Sequence, residues 1–91
     1  MSQQTINHDE IRQWVSERGG YPSRVKGTAE SGGSGVLRIN YPGYSGEEDL
    51  ETITWTEFFN GFDRNRLSFL YQDETSDGKT SRFSKLIERS Q

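Results

Sequence analysis

One local signature occurs twice in this chain and limits its folding more than any other feature. Ile6-Asn7-His8-Asp9-Glu10-Ile11 and Ile53-Thr54-Trp55-Thr56-Glu57-Phe58 each set a polar residue three positions before Glu, with apolar residues bracketing the turn. The polar side chain accepts from an N–H that the first helical turn leaves without a partner, and the apolar pair staples the incoming chain to the helix. Two helix starts are therefore predicted, at His8 and at Trp55. Each copy is followed by a stretch that alternates like a β-hairpin, which gives an α-β-β-α-β-β order.

The first helix is predicted over His8 to Arg18, with Ile11, Trp14 and Val15 on one stripe. Gly19-Gly20 ends it, because glycine tolerates the left-handed conformation that closes a helix. Strands are expected at Arg24–Thr28 and Val36–Tyr41, separated by the glycine-rich loop Ser31-Gly32-Gly33-Ser34-Gly35. In this reading Leu37, Ile39 and Tyr41 point inward, while Arg24, Lys26 and Arg38 share the outward face. The second helix runs from Trp55 to about Arg64 and buries Trp55, Phe58, Phe59 and Phe62. A third strand spans Leu67–Gln72, and Asp77-Gly78 is a hairpin turn signal. For the last apolar set, Phe83, Leu86 and Ile87, that turn favours a strand over a helix; a strand leaves Leu70, Phe83 and Ile87 on the outer face. The expected architecture is a two-layer α+β domain: a four-stranded, mainly antiparallel sheet with both helices on one face. It occupies residues 6–88, with 1–5 and 89–91 frayed.

Composition removes whole classes of chemistry. There is no cysteine among the 91 residues, so disulfides, thiolate catalysis and cysteine zinc sites are excluded. No apolar run reaches the length of a spanning helix or a signal-peptide core, and the chain is expected to be soluble and cytoplasmic. The net charge of -3 argues against non-specific nucleic-acid binding. Only 29% of residues are hydrophobic, but five Phe, four Tyr and two Trp supply large buried areas, and their periodic spacing excludes disorder.

The local motifs favour plain structural readings. Asp77-Gly78-Lys79-Thr80 lacks the earlier glycine of a phosphate-binding loop, since position 73 is Asp, and reads as a turn. The 31–35 run reads as a linker, because no helix follows to help bind an anion. His8 is the single histidine; it has no companion for a metal site and is expected to be exposed and without a task. The acidic cluster Glu47, Glu48, Asp49 and Glu51 lacks the spacing of a calcium loop. No serine has a base placed near it by the sequence, so no catalytic residue, cofactor or metal ligand is assigned and enzymatic activity is not expected.

The best binding candidates are cations beside aromatics. Arg24, Lys26 and Arg38 cluster if their strands pair, Arg82 and Lys85 extend the patch, and Tyr41 and Tyr44 flank Pro42-Gly43. Three readings follow. The leading one is a small non-catalytic binding or adaptor module that takes a protein partner on the outer sheet face. The second is single-stranded nucleic-acid binding through Arg24, Lys26, Arg38 and Arg82. The third is a glycan-binding accessory using Tyr41, Tyr44 and Trp55. Oligomeric state is not legible in the residues.

Several segments together carry a resemblance: His8-Asp9-Glu10-Ile11-Arg12, Arg24-Val25-Lys26-Gly27-Thr28, Leu37-Arg38-Ile39, Tyr41-Pro42-Gly43-Tyr44-Ser45-Gly46, and most specifically the block from Ile53 to Phe83. Across nearly its whole length the chain resembles a family of short, uncharacterised bacterial proteins, including cyanobacterial members, that often carry the label 1,4-α-glucan branching enzyme. That label implies a catalytic barrel of about 250 residues with paired carboxylates, for which this chain has neither length nor motif. The resemblance implies no catalytic residues here and adds only a glycan as a candidate ligand.

Overall fold

The computed structural model describes residues 2–28, 35–43, 49–72 and 83–89. In chain order its elements are β1 (Ser2–Thr5), α1 (His8–Glu17), β2 (Tyr21–Val25), β3 (Leu37–Asn40), β4 (Leu50–Thr52), α2 (Trp55–Arg64), β5 (Leu67–Gln72) and β6 (Ser84–Glu88). Both helices begin where their caps predict. The Asn7 side chain accepts from the Glu10 N–H, and Thr54 accepts from the Glu57 N–H. Only the second staple closes: Ile53 and Phe58 are both in the core, whereas Ile6 is 51% exposed. Neither Glu completes the capping box by returning to the cap's own N–H. Glu10 takes hydrogen bonds from Thr5 and Tyr71, the Asn7 N–H goes to the Thr5 hydroxyl, and Glu57 accepts from the Thr54 hydroxyl.

The strands form two separate antiparallel sheets of three, ordered β1-β5-β6 and β3-β2-β4, in place of the expected single sheet of four. Two strands account for the difference. β1 lies in the segment expected to fray, where Ser-Gln-Gln-Thr has no alternating apolar face to announce it; pairing with β5 from Ser2↔Gln72 to Thr5↔Phe69 holds it. β4 is three residues long and pairs with β2. At the other end Arg89, also expected to fray, donates its N–H to Arg66 O. The last apolar segment is a strand, as its turn signal predicts, and pairs with β5 from Leu67↔Glu88 to Tyr71↔Ser84.

β2 starts earlier than predicted and includes Pro22, although it is the central strand of its sheet. The proline is tolerated because of the pairing alternation. Its position faces β4 at the end of that ladder, where only its carbonyl is used, by the Ile53 N–H.

One aromatic core joins the two sheets to both helices. From α1 come Ile11, Trp14 and Val15; from α2 Phe58, Phe59 and Phe62; from the sheets Leu37, Phe69 and Tyr71. Trp14 is the hub: its ring meets Phe69 at 5.5 Å, Tyr71 at 5.4 Å and Tyr41 at 6.5 Å, the geometry aromatic pairs favour. The Arg18 guanidinium covers the Trp14 ring at 3.9 Å and donates to the Trp14 carbonyl, which caps α1 with a cation. Gly19 ends the helix in the left-handed conformation, as predicted. Gly20 serves a different need: a Cβ there would lie 2.8 Å from both the Tyr41 ring and Val15, so the chain passes too close for any side chain.

Candidate functional site

The expected cationic patch does not assemble. The register Arg24↔Leu37 and Ser23↔Arg38 sets Arg24 on the face of core residue Leu37 and Arg38 on the opposite face. Arg24 is used internally: its Nε donates to Glu51 at 3.0 Å and its guanidinium lies 3.8 Å from Glu57 at the start of α2. Lys26 is exposed beyond the end of β2, its N–H bonded to Asp49 O. Arg38 is exposed, with one guanidinium N–H on the Leu37 carbonyl. Tyr41 is half-buried against Trp14. Tyr44, Arg82, the 31–34 glycine run and the Asp77-Gly78 turn lie outside the described residues.

The structure instead brings Arg38 and Tyr41 together with Lys85 around a cleft of about 680 Å³. Leu37 and Ile39 of β3, with Tyr41 just beyond it, line one side, Ser84 to Leu86 of β6 the other, and Phe69 of β5 also contributes. Phe83, at the mouth, is 47% exposed. The Tyr41 and Ser84 hydroxyls are hydrogen-bonded at 3.1 Å, a tie from one sheet to the other. Among the described residues of the lining the charged ones are Arg38 and Lys85.

Each wall is a sheet edge. Val25 donates to Val36 O, so in the antiparallel alternation Val36, Arg38 and Asn40 direct their backbone groups to β2. Leu37 and Ile39 therefore direct theirs outward, where the Leu37 carbonyl already accepts from the Arg38 guanidinium. Gln72 donates to Phe83 O and Arg89 to Arg66 O, so Lys85 and Ile87 bond to β5, and Ser84, Leu86 and Glu88 face the open edge. Among the described residues no strand pairs with either edge. An edge with its N–H and C=O groups displayed is a template for another strand.

The outer face of β5 and β6 carries Leu70, Phe83 and Ile87, as the strand reading predicts, with Lys85 opposite Leu70. This apolar strip adjoins the cleft through Phe83 and Lys85.

His8, expected to be without a task, is a structural brace. Its ring stacks on Phe59 at 4.0 Å, and Nε2 lies 3.1 Å from the Asp63 carboxylate. A carboxylate only accepts, so Nε2 carries the proton. Arg89 donates to the same carboxylate at 3.0 Å and to Leu67 O at 2.7 Å, tying α1, α2 and the end of β6 together. Partial burial alone would raise the Asp63 pKa, but hydrogen bonds and charge from His8 and Arg89 outweigh it and hold the carboxyl below its ordinary value. Among the described residues no group of three or more His, Cys, Asp or Glu could hold a metal, and no helix is long and apolar enough to cross a membrane.

No protein-family model, curated protein or solved structure matches the chain.

Proposed function

We propose that the chain is a non-catalytic binding module that takes a protein partner at the cleft between β3 and β6, continued onto the outer face of β5 and β6. The observation that carries this reading is the pair of open strand edges over a shared apolar floor of Leu37, Ile39, Phe69 and Leu86. Its volume is that of an ordinary ligand site, and its recognition groups are backbone, aromatic and cationic. The nucleic-acid reading loses Arg24, which is neutralised by Glu51 and Glu57. The glycan reading has a half-buried Tyr41 whose hydroxyl is already engaged and a Trp55 stacked on Phe59, so neither ring is a free platform.

The test is a residue-resolved NMR titration at low salt with a pool of random peptides, a short single-stranded DNA, a short RNA and a malto-oligosaccharide. The proposal expects peptide-induced shifts at Leu37, Ile39, Ser84 and Leu86. Shifts from nucleic acid alone, weakening steeply with salt, would replace it with the nucleic-acid reading. Shifts from the sugar alone would replace it with the glycan reading.

A further inference from the structure

At the edge of its sheet opposite β6, away from the cleft, we infer that β1 pairs antiparallel with β1 of a second copy of this chain. The hydrogen-bond alternation decides which groups that edge offers. Gln72 donates to Phe83 O and Arg89 to Arg66 O, so Ser68, Leu70 and Gln72 bond to β6, while Phe69 and Tyr71 turn their backbone groups to β1. Their partners Thr5 and Gln3 therefore bond to β5, and Ser2 and Gln4 direct N–H and C=O to the open side. Among the described residues no strand pairs there. Side chains hold the strand in place: Thr5 donates to the Glu10 carboxylate at 3.0 Å, the Tyr71 hydroxyl bonds to Gln3 at 3.2 Å, and the Ser68 hydroxyl lies 3.5 Å from the Gln4 amide oxygen. An edge already ordered in this way has little freedom left to lose on pairing. Charge then singles it out. Proteins guard exposed edges with charged side chains or proline. Of the edge strands, β3 carries Arg38, β4 carries Glu51, and β6 carries Lys85 and Glu88, whereas β1 is Ser-Gln-Gln-Thr.

The same lack of charge selects the occupant. Such a strand offers a foreign sequence neither charge nor apolar surface to read, but it is complementary to itself. Two copies running antiparallel about Gln3 set Ser2 of one protomer opposite Gln4 of the other, hydroxyl beside amide, and each such pair exchanges both of its backbone bonds. Chains with a net charge of -3 repel one another, and here they meet with no like charges opposed. The sheet then runs on as β6-β5-β1-β1-β5-β6, and the two-fold axis closes the assembly at two copies. With only 4 residues, β1 supports a weak, reversible pair.

The experiment follows the chain from micromolar to millimolar concentration by sedimentation and by amide hydrogen exchange. The expected result is a rise toward twice the monomer mass. Exchange at Gln4 should slow as the pair forms, while Gln3 and Thr5, already bonded to β5, do not change with concentration. Two variants separate the edge from the fold. Gln4→Pro removes an outward N–H that β5 does not use, a place where an edge strand tolerates proline, so the monomer keeps its fold. The pair should weaken about a hundredfold, about tenfold for the bond lost from each copy. Gln4→Lys leaves the backbone intact and guards the edge with charge; it should weaken the pair, less so at high salt. Because the chain has no cysteine, Gln3→Cys reports the register: the two copies of that position face each other in a non-hydrogen-bonded pair and should oxidise to a covalent dimer. A chain that stays monomeric at millimolar concentration would overturn the inference, as would a dimer that Gln4→Pro leaves equally tight. A dimer that slows exchange at Leu37, Ile39, Ser84 and Leu86 instead of Gln4 would put the contact at the cleft and overturn it too. A dimer in which Gln3→Cys does not cross-link would overturn the antiparallel register.

Discussion

Gly19 and Gly20 are adjacent, yet the structure assigns them different physical reasons, and a pair of substitutions separates these. Gly20 does not have a positive φ; its constraint is space, with the Tyr41 ring and Val15 each 2.8 Å from where a Cβ would sit. Real Cβ atoms do not tolerate that approach, so Gly20→Ala must displace one neighbour. Val15 is fully buried in the core, and Tyr41 is held by the Trp14 ring and the Ser84 hydroxyl. Overpacking at a site with neither side free to give costs about 2 kcal/mol. For a domain of this size that is a fall in Tm of about 10 °C. Gly19 has φ of 71° and open space around it, so Gly19→Ala costs about 1 kcal/mol through backbone conformation alone. Asparagine tolerates the left-handed region, so Gly19→Asn should recover part of that loss, while Gly20→Asn should be worse than Gly20→Ala. Urea unfolding followed by Trp fluorescence measures all four variants. Gly20→Ala within about 0.5 kcal/mol of the parent, or asparagine helping equally at both positions, would refute the packing argument.

Phe59→Ala should cost about 3–5 kcal/mol in the same assay, since its ring packs on His8, Trp55, Phe58 and Phe62; unchanged unfolding would refute its place in the core. Arg24→Ala should cost about 1 kcal/mol through the lost pairing with Glu51 and Glu57, whereas Arg38→Ala stays within about 0.5 kcal/mol; the reverse order would contradict the register of β2 and β3. Because the folded Asp63 pKa is lowered, its contribution is fully present above its ordinary value of 3.8 and is lost as pH falls through the folded value. The stability gap between the parent and Asp63→Asn should therefore be largest near neutral pH and shrink in acid; a gap that widened in acid would contradict the brace.

What was legible in the residues was what local chemistry decides. Asn7 and Thr54 mark helix starts because a cap satisfies its own turn, and the aromatic spacing from Trp55 to Phe62 marks a buried stripe whatever lies opposite. The strand over 84–88 followed from a turn signal beside it. β1 could not be read, because a polar Ser-Gln-Gln-Thr segment becomes a strand only through its partner β5 and the contact of Gln3 with the Tyr71 hydroxyl. Arg24 faces inward for a related reason. Alternation says which residues share a face along one strand, but the register with Leu37 decides which face that is. The available signal was acidic: Glu51 and Glu57 bracket the start of α2 and supply an inward-facing arginine with partners. The cleft depends on the sheet being split in two, a property of the assembled fold that no single segment encodes.

Amide hydrogen exchange on the free protein tests, without any ligand, whether β3 and β6 present open edges to one cleft. Alternation is expected: slow exchange at Arg38, Asn40, Lys85 and Ile87, whose N–H groups bond within their sheets, and fast exchange at Leu37, Ile39, Ser84 and Leu86. Uniformly slow exchange along both strands in the monomeric protein would mean that the edges are already occupied, and would contradict it.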